Sequence, residues 1–510
     1  MADFKPQVVV FACNWCSYAG ADTAGVSRVQ YNPLIRVIRV MCSGRVHPAF
    51  VFRAFAKGAD GVLITGCHFG DCHYISGNER QVEQFERVKS LTELLGFDQQ
   101  RIGLEWISAA EGERFGKVMD EFVEQVTRLG PAPKVQVQDA LVSGESRDAE
   151  SAWACFQCGK CTGTCPVAVA GGSLSPRRLV RNYVLDGAFS PSLECLTCLA
   201  CEEGCPQGVA LGEMIASKRR GIYSDATWGQ RPHGGIFQAL GRIMTSPDLH
   251  PKRNGWLPEG ARVAETGKTL LYVGCAPYYD AFFPELGART QDAARGAVRI
   301  LNRLGIEPVV LPEERCCGHD AYWEGDSATF ERLAALNVEA VKATGAEQIL
   351  FTCPECLSAY RNLYPKLGLE TPARLLHFSS FAAEHLDELP LKDLDVPMTF
   401  QDPCRLSRHV GEVEAPRKVL SRISDGRLIE MYHSGERGTC CSSSWLRCDA
   451  VTKAIQMGRI DEANATGAKL MVTACPKCEI HLSCSQRDRQ DGKVELRDIT
   501  ALIADRLEEE

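Results

Sequence analysis

The sequence predicts a multidomain α/β chain: a small parallel α/β domain first, a helical segment in the middle, and two repeated α/β domains at the end. Three observations carry this. Short apolar runs, "QVVVFAC", "DGVLITGC" and "KTLLYVGC", each stop at a cysteine, and helical stretches fall between strands, as in a parallel sheet. Two cysteine-dense runs, at 155–165 and 195–205, flank one helical segment at 175–187. The C-terminal half repeats itself: "TGAEQILFTCPECLSAY" (344–360) aligns with "TGAKLMVTACPKCEIHL" (466–482).

Composition narrows the function. A chain of 510 residues has room for about three or four domains. A formal charge of −8 leaves no basic footprint for nucleic acid. No apolar run approaches the ~20 residues of a membrane helix. "MADFKPQ" has no basic region followed by an apolar core, so no signal peptide is expected and the protein is expected in the cytoplasm. Twenty-five cysteines are far above ordinary usage, and their odd number fits disulfides poorly. A reducing compartment and bound metal remain.

In the first domain, one strand ends at Cys13 and Cys16, a second ("LIRVIRVMC") at Cys42, and a third at Cys67, with Cys72 on the same loop. Helical patterns at 48–58 and 78–96 separate them. Strand C-terminal ends are where α/β folds gather their sites, so these thiols converge on one edge. A thioredoxin-like pair at Cys13 and Cys16 would leave Cys42, Cys67 and Cys72 unexplained. A Rieske centre needs two histidines at other spacings, since here each histidine directly follows its cysteine (67–68, 72–73). A cluster on four of the five thiols is the simpler reading, and either Cys13 or Cys16 can be the fourth ligand.

The middle runs, "CFQCGKCTGTCP" and "CLTCLACEEGCP", each read C-x2-C-x2-C-x3-C-P, the bacterial ferredoxin run for a [4Fe–4S] cluster. Zinc motifs usually pair two C-x2-C units instead. The fourth cysteine, before proline, crosses to the other cluster. The expected sets are Cys155, Cys158, Cys161 and Cys205, and Cys195, Cys198, Cys201 and Cys165. The arginines of "SPRRLVRNYVLDG" offset cluster charge or form a solvated face.

Each half of the repeat reads C…CC…CxxC. The first has Cys275, Cys316, Cys317, Cys353 and Cys356, and the second Cys404, Cys440, Cys441, Cys475 and Cys478. Helical stretches at 327–343 and 449–465 precede the C-P-x-C turns. Five thiols exceed the four needed by zinc or a cubane. Neighbouring cysteines also make a strained disulfide. Adjacent thiolates suit a cluster with more than one iron within reach of a single loop, although two cubanes with spare thiols, or zinc, would also use these residues. Cys448 and Cys484 fall outside the repeat and read as ordinary buried or free thiols. His319 and His409 lie near the ligands, where a structural or solvent-exposed role outweighs proton donation.

The repeat resembles the CCG cysteine-rich domain, which occurs twice in one subunit of heterodisulfide reductase. Segment 143–262 resembles the ferredoxin-type subunit of that enzyme. The stretches "CNWCSYAGADTAG", "MCSGRVHP" and "GADGVLITGCHFGDCHYISGN" closely resemble the delta subunit of methyl-viologen-reducing hydrogenase. The resemblance implies one [2Fe–2S] cluster on the N-terminal cysteines and two cubane [4Fe–4S] clusters in the middle. It further implies two non-cubane [4Fe–4S] clusters, one on each five-cysteine set, with a disulfide substrate cleaved between them. One departure is Ser442, which follows the second doublet where the motif has glycine.

The resemblance implies a hydrogenase delta-like domain (1–142), a two-cubane ferredoxin domain (143–262), CCG domain 1 (263–395) and CCG domain 2 (396–510). Segments 129–152 and 245–260 read as linkers. The chain would take electrons from a hydrogenase, a formate dehydrogenase or another dehydrogenase, with a ferredoxin as a further partner. It would exchange them with the FAD-containing flavoprotein of heterodisulfide reductase, in a bifurcating complex of an anaerobe, and reduce a disulfide to two thiols. No G-x-G-x-x-G stands at a strand–helix junction, so the flavin is expected on the partner. Flavoprotein contacts are expected around 42–73 and around the 195–205 loop. The alternative is a non-catalytic wire that relays electrons to another redox protein.

Overall fold

The computed structural model describes residues 4–135, 147–186, 193–442, 445–487, 489 and 494–508. Much of the expected linker at 129–152, and the boundary at 142–143, lie outside the described residues. The chain forms two units, Met1–Val137 with Ala226–Arg253, and Gln138–Asp225 with Asn254–Glu510.

The first unit is built on a parallel four-stranded sheet. Its strands are β1 (Val8–Cys13), β2 (Ile35–Val40), β3 (Gly61–Gly66) and β4 (Ile102–Trp106), in the order β2-β1-β3-β4. β3 is central and buried along its whole length, which is why it reads as a continuous apolar run. Val8, Val10 and Leu63 pack against Phe115, Met119 and Phe122 of the helix Gly112–Leu129. The helices Pro48–Ala56 and Gly77–Leu94 match the periodic stretches in the sequence. β4 was not expected; its "IGLEW" carries a glycine and a glutamate and is half-buried over most of its length. The helix Ile236–Ile243, inside the span expected for the ferredoxin segment, packs on Pro48–Ala56.

The second unit begins with short helices, Lys160–Gly163, Pro166–Val169, Pro176–Asp186, Ala200–Glu203 and Leu211–Ile222. Two three-stranded parallel sheets follow. The first orders β5 (Thr269–Tyr272), β6 (Gln348–Phe351) and β7 (Arg374–His377). The second orders β8 (Met398–Gln401), β9 (Leu470–Thr473) and β10 (Glu495–Asp498) in the corresponding way. The helices Ser327–Thr344 and Ala450–Ala465 occupy the expected stretches.

The halves exchange their last helices. Ile499–Asp505, which ends the second half, packs on Gln291–Arg303 of the first. Phe378–Glu384, which ends the first half, packs on Glu414–Ile423 of the second. Val298, Leu301, Phe381, Val419, Leu420, Leu502 and Ile503 therefore share one apolar core. Reciprocal contacts of this kind are what a pseudo-two-fold axis produces.

Candidate metal centres

In the first unit all five cysteines lie at the C-terminal edge of the sheet. Cys13 Sγ is 3.7 Å from Cys67 Sγ, and that contact chiefly lowers the Cys13 thiol to about 6. Cys67 also contacts Cys16. Cys42 contacts Cys72, and burial raises its thiol. These two crowd the start of the following helix: a Cβ on Gly77 would overlap Cys42 Sγ and lie 3.1 Å from Cys72 Sγ. A side chain there would fill the cradle. Around the thiols the surface is apolar and open: Trp15, Met41, Phe69, Tyr74 and Ile75 are all exposed. Trp15 stacks on His73 at 3.7 Å and donates its indole N–H to Tyr74 Oη. His68 Nε2 sits 2.7 Å from Glu111 Oε2.

In the second unit one cavity is lined by Cys155, Cys158, Cys161 and Cys205, with Cys201 and Arg177 at its wall. Another is lined by Cys165, Cys195, Cys198 and Cys201. Arg177 therefore faces the first group, whereas Arg178 donates to the Ser173 carbonyl at the surface. Burial pushes the Cys165 thiol up to about 12.

The doubled cysteines each reach two partners. Cys316 contacts Cys275, while Cys317 contacts Cys356. In the second half Cys440 is 3.8 Å from Cys404, and Cys441 is 2.9 Å from Cys478. A doublet thus bridges the single strand-end cysteine and the CxxC pair, which one cysteine could not do. Polar groups far away in sequence hold the loops. The Cys316 carbonyl accepts from Asn337 Nδ2 (2.9 Å) and the Cys317 carbonyl from Tyr364 Oη (3.0 Å). The buried Glu314 accepts from Val273 N (2.9 Å) and Gly274 N (2.6 Å), clamping the strand end before Cys275. Asp402 does similar work before Cys404. It takes a bidentate pair from Arg417 (2.8 and 2.9 Å) and the Gly435 N–H (2.7 Å). Sequence reasoning missed all of these supports.

The two five-thiol sets meet. Hydrogen bonds with Cys356 and then Cys475 hold the Cys353 thiol well below its ordinary range. Beside this contact, Lys477 of "CPKC" is fully buried and reaches Glu355 of "CPEC" at 2.7 Å and Asp320 at 2.5 Å. Burial works against the Lys477 charge, but Asp320 and Glu355 outweigh it and raise its pKa well above the lysine range. Residues 355 and 477 hold the same position in the two C-P-x-C turns. A pseudo-two-fold axis brings such positions face to face, and opposite charges make the meeting favourable.

The 195–201 loop abuts the second set. A contact with Cys440 chiefly lowers the Cys198 thiol to about 5. Arg405 donates to the Leu196 and Thr197 carbonyls and to Thr197 Oγ1 (2.7 Å). Arg408 Nε donates to the Cys198 carbonyl at 2.6 Å, and His409 Nε2 lies 2.9 Å from the Thr197 carbonyl. Leu196, Thr197 and Cys198 are buried under the helix Cys404–Val410, while Glu203, Pro206 and Gln207 at the other end of the same run are exposed. At the 155–165 run Cys158, Trp153 and Phe156 are among the exposed residues.

His319 is buried, accepts from Trp323 Nε1 (3.1 Å), and has its pKa lowered to about 4 chiefly by burial. His409, by contrast, lies against a backbone carbonyl. Cys448 is exposed, and Cys484 lies 3.0 Å from Lys453 Nζ.

The donor chemistry fits thiolate-held iron. Fours and fives of thiols converge, and the backbone N–H groups of Gly318 and Ser442 donate to Cys316 Sγ (3.4 Å) and Cys440 Sγ (3.3 Å). Among the described residues, no helix is long and apolar enough to cross a membrane.

Residues 8–130 match the family "Methyl-viologen-reducing hydrogenase, delta subunit", and 269–360 and 398–483 match the "Cysteine-rich domain" CCG family. A vhc iron–sulfur subunit of the F420-non-reducing hydrogenase of Methanococcus voltae is 50% identical over 129 residues, 25% of this chain and 90% of that protein. A subunit of the dihydromethanophenazine:CoB–CoM heterodisulfide reductase of Methanosarcina acetivorans is 29% identical over 394 residues, 69% of this chain and 93% of that one. A subunit of the ferredoxin/F420H2-dependent CoB–CoM heterodisulfide reductase of the same organism is 48% identical over 139 residues, 27% of this chain and 18% of that one. The chain belongs to the methyl-viologen-reducing hydrogenase delta-subunit family through residues 8–130, and joins that domain to paired CCG domains as an iron–sulfur oxidoreductase of heterodisulfide reductase type.

Proposed function

We propose that the chain is the iron–sulfur subunit of a cytoplasmic heterodisulfide reductase-type complex, and that it reduces a disulfide to two thiols where its CCG domains face each other. One observation carries this: the two complete five-thiol sets meet at Cys353 and Cys475. The domain bounds remain 1–142, 143–262, 263–395 and 396–510.

The residues divide the work. Four of Cys13, Cys16, Cys42, Cys67 and Cys72 hold a [2Fe–2S] cluster. Cys155, Cys158, Cys161 and Cys205 hold one cubane, and Cys195, Cys198, Cys201 and Cys165 the other. Cys275, Cys316, Cys317, Cys353 and Cys356 hold one non-cubane cluster, and Cys404, Cys440, Cys441, Cys475 and Cys478 its counterpart. When bound, these clusters supply one-electron transfer and a soft Lewis-acid site for sulfur. The protein supplies placement. Arg405 and Arg408 hold the 195–201 loop against Cys440. Sulfur contacts then run from Cys440 through Cys441, Cys478 and Cys475 to Cys353 of the first set. Lys477, Glu355 and Asp320 hold the two C-P-x-C turns against each other.

Anoxic iron and acid-labile sulfide analysis tests the ligand sets. They predict about 18 irons per chain. Iron near eight with stoichiometric zinc would remove the CCG assignment and spare the ferredoxin.

The partners proposed are an FAD-containing flavoprotein of heterodisulfide reductase type and a hydrogenase or dehydrogenase, with a ferredoxin as a further donor. Exposed apolar residues stand beside the outermost thiols: Ile75, 88% exposed, near Cys72, and Phe156, 60% exposed, near Cys158. Protein docking concentrates its energy on such anchors. Ile75→Asp and Phe156→Asp should each slow electron exchange with the flavoprotein by about tenfold. Stopped-flow exchange at wild-type rate in both variants would move the docking sites elsewhere.

A further inference from the structure

The two doublets end differently. Gly318 follows the first and Ser442 the second, yet both adopt the left-handed conformation, with φ of 73° and 62°. Glycine takes that conformation freely, and a serine does not. Both backbone N–H groups donate to the first thiol of their doublet, so the serine gains nothing in backbone geometry. What it adds is a hydroxyl. Ser442 is fully buried, and its Oγ has no hydrogen-bond partner among the described residues. A buried hydroxyl left without a partner is costly, so each such group calls for an explanation. Ser442 directly follows Cys440 and Cys441 of the second thiol set, and its backbone N–H already reaches Cys440 Sγ.

We propose that Ser442 Oγ–H donates a hydrogen bond to a sulfur of the centre held by the second set, and thereby makes that centre easier to reduce than its twin. This rests on the reading that both sets hold iron–sulfur clusters. A hydrogen bond to a cluster sulfur withdraws electron density and raises the potential. Gly318 has no side chain to do the same in the first half. The second set is also the one that touches Cys198 of the ferredoxin loop. An electron leaving that loop therefore meets the more easily reduced centre first. The pair is unequal although the fold is repeated, and Ser442 acts as a tuning residue rather than a ligand.

The test is a redox titration of the full chain followed by EPR, on wild type, Ser442→Gly and Ser442→Ala. Glycine removes both the hydroxyl and the strained backbone, and alanine removes only the hydroxyl. Both variants should keep their full iron content. In both, the reduced-to-oxidised ratio of the second centre at fixed potential should fall by about tenfold, a 59 mV shift for a one-electron couple. The first centre should not move. An unshifted second centre in the two iron-replete variants overturns the proposal and leaves the proposed function standing. Loss of iron from the glycine variant also overturns it, since tuning does not predict that. A wild-type chain with only one non-cubane signal overturns the underlying reading and the proposal together.

Discussion

Lys477→Met should destabilise the second unit by about 3–5 kcal/mol, the usual cost of removing one partner from a buried ion pair. The lysine is fully buried between Glu355 (2.7 Å) and Asp320 (2.5 Å), and its ammonium also lies 5.5 Å from the centre of the Trp445 ring. Without it, two carboxylates crowd the contact between the CCG halves. Glu355 is buried, and once the lysine is gone it must take up a proton. Because 355 and 477 are equivalent positions facing across the pseudo-two-fold axis, the double variant Glu355→Met/Lys477→Met should recover most of the loss. Apolar residues of similar volume commonly replace a buried pair at little cost. Anoxic urea unfolding of wild type, single and double variants measures this. A single variant that unfolds with wild type would mean that the two turns are not locked by this pair.

The second large effect concerns the doublets. Cys317→Ser and Cys441→Ser should each lower disulfide reduction by on the order of 100-fold or more, the upper range for losing even an outer-shell support of a metal site. Cys317 is the residue that joins its doublet to Cys356, and Cys441 lies 2.9 Å from Cys478. Each variant removes one half of a site that needs both. Electron exchange at the N-terminal thiols should survive, because Cys13 to Cys72 belong to the separate first unit. Cys448→Ser, outside every thiol set, should be silent. Disulfide reduction at wild-type rate in a variant lacking its non-cubane EPR signal would refute the mechanism.

The thiol groupings were legible in the sequence because ligand spacing is local. C-x2-C-x2-C-x3-C-P brings three thiols together within one loop, and C-P-x-C opens a helix directly after a strand. The long helices were legible through their periodicity, as at Ser327–Thr344 and Ala450–Ala465. What escaped depends on partners distant in sequence. β7 ("RLLH") and β10 ("ELRD") are four residues long and carry charge, so nothing in their composition marks them as strands. The lysine and glutamate of the two C-P-x-C turns were visible, but not that they meet. The cover over Leu196, Thr197 and Cys198 comes from Arg405 and Arg408, some 210 residues away, so nothing in the loop's own sequence marks it. Nothing in the sequence marks Glu314 and Asp402 as buried against backbone N–H groups, which they are.

The central claim is that disulfide cleavage happens on this chain. The purified, iron-replete chain, with no partner present, should be mixed anoxically with reduced viologen, with and without a panel of disulfides, including the heterodisulfide of coenzyme M and coenzyme B. The account predicts viologen oxidation only when a disulfide is present, with two thiols formed for every two electrons consumed. Oxidation that ignores every disulfide, but starts on adding a second redox protein, would contradict it and make the chain a wire.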